Sequence, residues 1–122
     1  MSFTLKDSGK REKFKTGAVR DNQEGKGRFD LLPCHAIFRV ARIFEYGASK
    51  YKSRNWEKGI NLCRFLESAL RHTFQALNNE TDEDHLTQAA WNLLCAIETK
   101  HWIDGGLLPQ ELDDIPKRKE SK

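Results

Sequence analysis

From Asp84 to Gly105 the chain carries apolar side chains around most of a helical circumference, broken by one polar stripe, and no other segment constrains the fold as tightly. At about 100° per residue, Leu86, Ala90, Trp91, Leu93, Leu94, Ile97 and Trp102 cover most directions, which predicts a largely buried helix. Against that background His85, Gln88, Asn92 and Thr99 share one narrow face. A buried polar group left unsatisfied costs roughly 1–3 kcal/mol, so something polar must face that stripe. Thr81 followed by Asp82, Glu83 and Asp84 supplies an N-cap hydroxyl and three first-turn acids. The helix runs to Trp102, before Gly105-Gly106 end it.

The facing element is written just upstream. Leu62, Phe65, Leu66, Ala69, Leu70, Thr73 and Leu77 trace an amphipathic helix that opens after Asn61 as N-cap and stops near Asn78-Asn79. Folded back across a turn near Glu80, it sets His72 at about the level of Gln88, and Ser68 at about that of Asn92. Ser68 and His72 are four residues apart and share a face, so two polar stripes line a cleft between antiparallel helices. A first helix over 33–51 is read from Ile37, Val40, Ala41, Phe44, Ala48 and Tyr51, with Pro33 tolerated in its first turn. The segment 52–59 breaks the pattern and ends in Gly59, a loop. The fold class is therefore all-α, a small antiparallel bundle of about three main helices.

Flanking segments differ in character. Residues 1–28 hold eight Lys/Arg against four acids, a surplus of +4, which leaves about −1 for the rest of a chain of net charge +3. This stretch lacks sustained apolar periodicity and is punctuated by Gly9, Gly17, Gly25 and Gly27, so it is read as an extended basic arm. The helical domain follows over 29–106, and 107–122 reads as a packed turn and a loose tail closing on Lys117-Arg118-Lys119. A basic arm on a near-neutral body calls for an anionic partner and argues against a body coated for nucleic acid. Three cysteines make no C-x-x-C pair and follow no apolar leader, which points to a reducing cytoplasm. The apolar runs fall short of the ~18 residues of a membrane span. Three helices of this length expose more apolar surface than one copy covers, so a homo-oligomer is expected.

Two readings stay open for the polar residues. His72, His85, Gln88 and Asn92 either form a network that only fixes helix register or line a binding site. Asp82, Glu83 and Asp84 are explained by capping alone, while Asp84 also suits a magnesium ion, which wants oxygen ligands. Lys50-Tyr51 and Asn55-Trp56 combine a cation, two aromatic faces for a base and an amide for its edge; Trp56 serves equally well as a core anchor. There is no P-loop, no G-x-S-x-G, no H-E-x-x-H and no Cys/His zinc spacing.

The blocks GAVRDNQEGKGRFDLLP (17–33), EYGASKYKSRNWEKG (45–59), RFLESALRH (64–72) and EDHLTQAAWNLL (83–94), in this order, resemble the N-terminal family of phage dATP/dGTP diphosphohydrolases. That family is similar to the MazG-like all-helical pyrophosphohydrolases, which cut a nucleoside triphosphate between its α and β phosphates with magnesium. The resemblance implies a purine nucleotide partner, with Arg20, Lys26, Arg28, Lys50, Tyr51, Asn55, Trp56, Arg71 and Asn92 as substrate contacts. It implies that the arm closes over the phosphates as a lid. It implies Glu67, His72, Asp84 and His85 as catalytic groups, with Glu67 and Asp84 on the metal. One departure stands out: where MazG-like enzymes carry E-x-x-E and E-x-x-D pairs, this chain offers Glu67 with Arg71-His72, and Asp84-His85 with Gln88. Either a histidine acts as ligand or general base, or the chain sequesters a nucleotide or cyclic-nucleotide defence signal uncut. A phage-encoded protein of this kind acts in the host cytoplasm.

Overall fold

The computed structural model describes residues 3–118. The chain divides into two compact units, Met1–Leu32 and Pro33–Lys122. The stretch read as an extended arm carries a small antiparallel ribbon, β1 (Arg11–Lys13) and β2 (Val19–Asp21), registered Arg11 to Asp21 and Lys13 to Val19. A turn with Gly17 at φ +90° reverses the chain between them. Asp21 ties this unit together, accepting from Ser8 and from Lys26 Nζ at 2.8 Å. The unit ends in a 3₁₀ turn at Phe29–Leu31. Its boundary at Leu32 falls a few residues beyond the expected end of the arm at Arg28.

The second unit is the expected three-helix bundle. It contains α1 (Cys34–Tyr51), a 3₁₀ turn at Asn55–Lys58, α2 (Leu62–Leu77), α3 (His85–Asp104) and a 3₁₀ turn at Gln110–Leu112. The helices α2 and α3 form the principal packed pair, and α1 lies against α3. Leu62, Phe65, Ala69 and His72 make the buried stripe of α2, and Val40 is buried from α1. Phe65, Cys95 and Ala96 form the core, with Phe44, Trp56, Ile60, Leu66 and Trp91 packed around it. Cys34, Cys63 and Cys95 are free thiols. Burial pushes the Cys95 thiol up to about 12, which keeps it protonated.

The polar stripe of α3 faces inward as expected, but the helix is less buried than its apolar circumference predicts. His85, Asn92, Cys95, Ala96, Thr99 and Ile103 point inward, whereas Leu86 and Ile97 are 70% and 67% exposed. The polar stripe, with small residues beside it, is what lets α2 approach, and the large apolar side chains face out. On α2, Leu70, Phe74 and Leu77 repeat this outward apolar pattern.

Caps also differ from the sequence reading. The α3 N-cap is Asp84, whose carboxylate accepts from Thr87 N at 3.3 Å, and not Thr81. Asn61 occupies the N-cap position of α2 without a side-chain bond. Asp114, from the C-terminal turn, caps α2 by accepting from Cys63 N at 2.9 Å. Gln110 Nε2 donates to Ile103 O at 2.7 Å and finishes α3. The packed turn expected after Gly106 is thereby realised; Lys119, the last of the closing basic cluster, lies outside the described residues. No helix among the described residues is long and apolar enough to cross a membrane.

Candidate functional site

A cavity of about 480 Å³ opens beside the α2–α3 pair, walled by the last turns of α1 and the loop that follows it. Its size suits a nucleotide-sized ligand. Its wall holds Lys50, Tyr51, Asn55 and Trp56 from the first block of candidates, and His72 and Asn92 from the hairpin. Ser68 and Gln88 join them, so part of each facing polar stripe lines one concavity, while His85 and Thr99 of the α3 stripe lie off its wall. The register is one turn different from that expected: His72 meets His85, its Nδ1 at 2.9 Å from His85 Nδ1, instead of standing level with Gln88.

Both histidines are buried, His72 at 7% and His85 at 2% exposure. His85 Nε2 lies 2.8 Å from Asp82 Oδ1. Burial, then the Arg71 guanidinium and His85, hold the His72 imidazole below its ordinary value, so it is neutral at pH 7. Asn92 Nδ2 donates back to Gln88 O at 2.9 Å, and Gln88 Nε2 donates to Glu83 Oε1 at 3.3 Å.

The rim is cationic. Lys50, Lys52, Arg54 and Arg64 stand on the wall against a single carboxylate, Glu83. Arg54 and Arg64 are paired at the surface with Glu57 and Glu67 at 2.8 and 2.6 Å, bonds worth little in solvent and readily exchanged for a phosphate. Lys50 Nζ sits 5.1 Å from the Tyr51 ring centroid, a cation–π arrangement. Lys52 and Arg54 adopt φ of 87° and 63°, a left-handed backbone costing of order 1 kcal/mol per residue. Strain of this kind concentrates where a loop must present side chains to a ligand. Gly59 closes the loop at φ +113°, where a Cβ would stand 2.8 Å from Leu112 Cδ1. Only glycine satisfies both the backbone and the close approach.

Trp56 is the core anchor the sequence allowed, and it also lines the cavity. One face stacks on Trp102, centroids 5.5 Å apart and planes 14° from parallel, and its ring packs against the core while lining the cavity. Phe44 lies tilted between Trp56 and Trp91 at 6.1 and 5.6 Å. The aromatic wall is thus held in place by the core.

Comparison with known protein families matches residues 16–104 to the family described as dATP/dGTP diphosphohydrolase, N-terminal. The chain belongs to this family. No curated protein and no solved structure matches it. The region the family shares runs from the N-terminal unit through all three helices to Asp104, and so includes every residue on the cavity wall.

The remaining candidates lie off that wall. Glu67 is exposed on α2, bonded to Arg64 and to Arg71 Nε at 3.2 Å; the Arg71 bond holds its carboxyl below the ordinary value. Burial raises the Asp84 carboxyl, and bonds from Thr87 and from Arg39 Nε at 2.9 Å outweigh it, leaving it ionised. In the N-terminal unit Lys26 pairs with Asp21 and Arg28 with Asp30, while Arg20 stands opposite Glu12 in the ribbon.

A family of diphosphohydrolases implies a divalent metal, and the donors present can be tested for it. Glu67 and Asp84, expected as its ligands, are each engaged by guanidinium groups. Among the described residues the one group of three metal-competent side chains is Glu80, Asp82 and His85, with ligand atoms within 4.8 Å of one another. This acidic and histidine cluster has the ligand types of a divalent-cation site, yet His85 Nε2 is its only buried donor and is committed to Asp82. Magnesium prefers a shell of oxygens. The donor set does not fit a resident magnesium ion.

Glu83, Arg64 and Lys52 are wall residues that the sequence did not assign to the site. Glu83 carries no signal beyond helix-dipole compensation, and Arg64 reads as an ordinary solvated charge.

Proposed function

We propose that the protein hydrolyses purine deoxynucleoside triphosphates, dATP and dGTP, to monophosphate and pyrophosphate, reshaping the nucleotide pool during phage infection. The observation that carries this reading is the cavity, with four cations and one carboxylate on its rim, an aromatic wall, and a neutral buried histidine within it. Lys50 and Arg64 bind phosphate oxygens, with Lys52 and Arg54 adding field. Tyr51, Trp56 and Asn55 hold the base. His72 is the general base. As a water oxygen bonds to the α-phosphorus, its proton passes to the imidazole. The bond from that phosphorus to the bridging oxygen breaks, and the electron pair leaves on pyrophosphate. A divalent ion carried by the substrate would supply further neutralisation of phosphate charge beside Lys50 and Arg64. Incubation of purified protein with dATP or dGTP and magnesium is expected to release pyrophosphate; silence across all four deoxynucleoside triphosphates refutes the proposal.

One observation favours a second reading. Glu67 and Asp84 lie off the cavity wall and pair with arginines, and the wall itself carries the single acid Glu83, which suits a module that holds a nucleotide or cyclic-nucleotide signal uncut. Mass spectrometry of the ligand recovered after incubation separates the two, since a sequestering protein returns the nucleotide intact.

The outward apolar stripes support self-association. Leu70, Phe74 and Leu77 on α2 and Leu86 and Ile97 on α3 each leave more than 60% of their surface open in one copy, a pattern that monomers rarely keep. Light scattering is expected to give a dimer or higher state, and Ile97→Glu to shift it to monomer. A monomeric unaltered protein at tens of micromolar excludes this assembly.

A further inference from the structure

The hairpin end of α2 and α3 holds a chain of three side chains that the hydrolytic scheme uses only in part. Asp82 is 65% exposed at its side chain, His85 is buried at 1%, and His72 is buried on the cavity wall. Their contacts run Asp82 Oδ1 to His85 Nε2 at 2.8 Å, then His85 Nδ1 to His72 Nδ1 at 2.9 Å. Two imidazoles joined through their Nδ1 atoms have one proton to share at that contact, and its owner decides what each ring does elsewhere.

An ionised carboxylate only accepts hydrogen bonds. Asp82 is an exposed carboxylate, ionised at neutral pH. His85 must therefore carry its proton on Nε2 and donate it to Asp82. In the neutral ring Nδ1 is then a bare acceptor. With His85 in that form, the contact is satisfied when His72 Nδ1 bears a proton and donates it. A neutral His72 protonated at Nδ1 has its lone pair on Nε2, and Nε2 is the one ring nitrogen left for a cavity ligand. The opposite arrangement places a proton on His72 Nε2 and leaves no base in the cavity.

We infer that Asp82 and His85 are positioning residues that fix the tautomer of His72, so that its Nε2 lone pair is available to whatever occupies the cavity. The inference deepens the hydrolytic reading, and rests on it for the use to which that lone pair is put. When His72 takes the proton of water it becomes an imidazolium whose Nδ1–H still donates to His85, so no rearrangement accompanies the transfer. This is the logic of a base oriented by a third group, with a histidine interposed between the acid and the base. It gives Asp82 a role that helix capping does not, since the α3 cap is Asp84.

The test is long-range proton–nitrogen correlation spectroscopy of the imidazoles in the full ¹⁵N-labelled chain at neutral pH without nucleotide. The four histidines are His35, His72, His85 and His101, and His72→Gln and His85→Gln assign the two rings. The expected spectrum has His72 protonated at Nδ1 and His85 at Nε2. In Asp82→Asn the carboxamide can accept from or donate to His85 Nε2, so His72 is expected to gain an Nε2–H population. A proton on His72 Nε2 in the unaltered protein, or unchanged tautomers in Asp82→Asn, overturns the inference. In pyrophosphate release, Asp82→Asn should lower kcat by about 10- to 100-fold, as loss of an outer orienting partner does, with KM nearly unchanged. An unchanged kcat in an active enzyme also overturns it. Correct tautomers in a protein that releases no pyrophosphate defeat the hydrolytic reading alone and leave the proton assignment standing.

Discussion

Replacing His72 with glutamine is expected to lower pyrophosphate release by about 10² to 10⁴-fold, the usual range for a lost general base, while KM for dATP or dGTP moves only a few-fold. Glutamine keeps roughly the volume and a hydrogen-bonding end, so the wall of the cavity persists. It cannot take a proton from water. The rim cations are untouched, and the phosphates are held as before. The pH profile sharpens the expectation. A base acts unprotonated, so activity is lost as pH falls through the pKa of His72, which burial, Arg71 and His85 set below the ordinary 6.5. The unaltered enzyme should therefore keep its rate at mildly acidic pH, and the residual rate of His72→Gln should lack that acidic limb. Stability follows the same sign. An imidazole whose folded pKa is depressed takes up a proton on unfolding, so stability falls as pH drops below about 6.5. A His72→Gln protein with unaltered turnover removes the general base from the scheme, and steady nucleotide binding with no turnover in either protein favours sequestration.

Much of this was legible in the residues because the three helices are long enough to declare a period. The extents of α1 and α2 agree with the sequence to about a residue, and of the stripe His85, Gln88, Asn92 and Thr99 it is His85 that meets a polar side chain on α2, while Asn92 and Gln88 bond to α3 and the turn before it and Thr99 Oγ1 has no partner among the described residues. The misses share a physical cause. Thr81, Asp82, Glu83 and Asp84 all suit a helix start, and local propensity does not rank them. Tertiary contacts do: Arg39 takes Asp84, and His85 takes Asp82. Asp114 caps α2 from 51 positions away, a bond no local pattern encodes. The ribbon of the N-terminal unit has three residues a strand, too few for alternation to register. Leu86 and Ile97 belong to the apolar circumference of α3 and yet are exposed, because periodicity reports which faces are apolar, and not whether the same chain or another copy covers them. The level of His72 depends on the form of the turn at Glu80, and one helical turn there makes its partner an imidazole instead of an amide.

The fold that holds these groups depends on one side chain above others, and Phe65→Ala is expected to cost about 3–5 kcal/mol, the range for an aromatic truncated in a packed core. Phe65 is 2% exposed on the buried stripe of α2, against Cys95 and Ala96 of α3, with Trp91 edge-on at 6.3 Å between centroids. Cys95 and Ala96 are too small to fill the space it would leave, and Trp91 is braced by Phe44. The cavity therefore cannot collapse, which places the cost at the upper part of that range. Domains of this size are stable by about 5–15 kcal/mol, so urea unfolding should show the midpoint reduced by roughly a quarter or more, with m little changed. The consequence reaches the site because Phe65 and Trp91 also line it. A repacked Trp91 releases Phe44 and then Trp56, and the aromatic wall loses its fixed spacing before the helices unfold. Nucleotide affinity should therefore fall at temperatures where circular dichroism still reports native helix. Full affinity in a destabilised Phe65→Ala protein would detach the aromatic wall from the core and place base recognition on the strained loop of Lys52 and Arg54 instead.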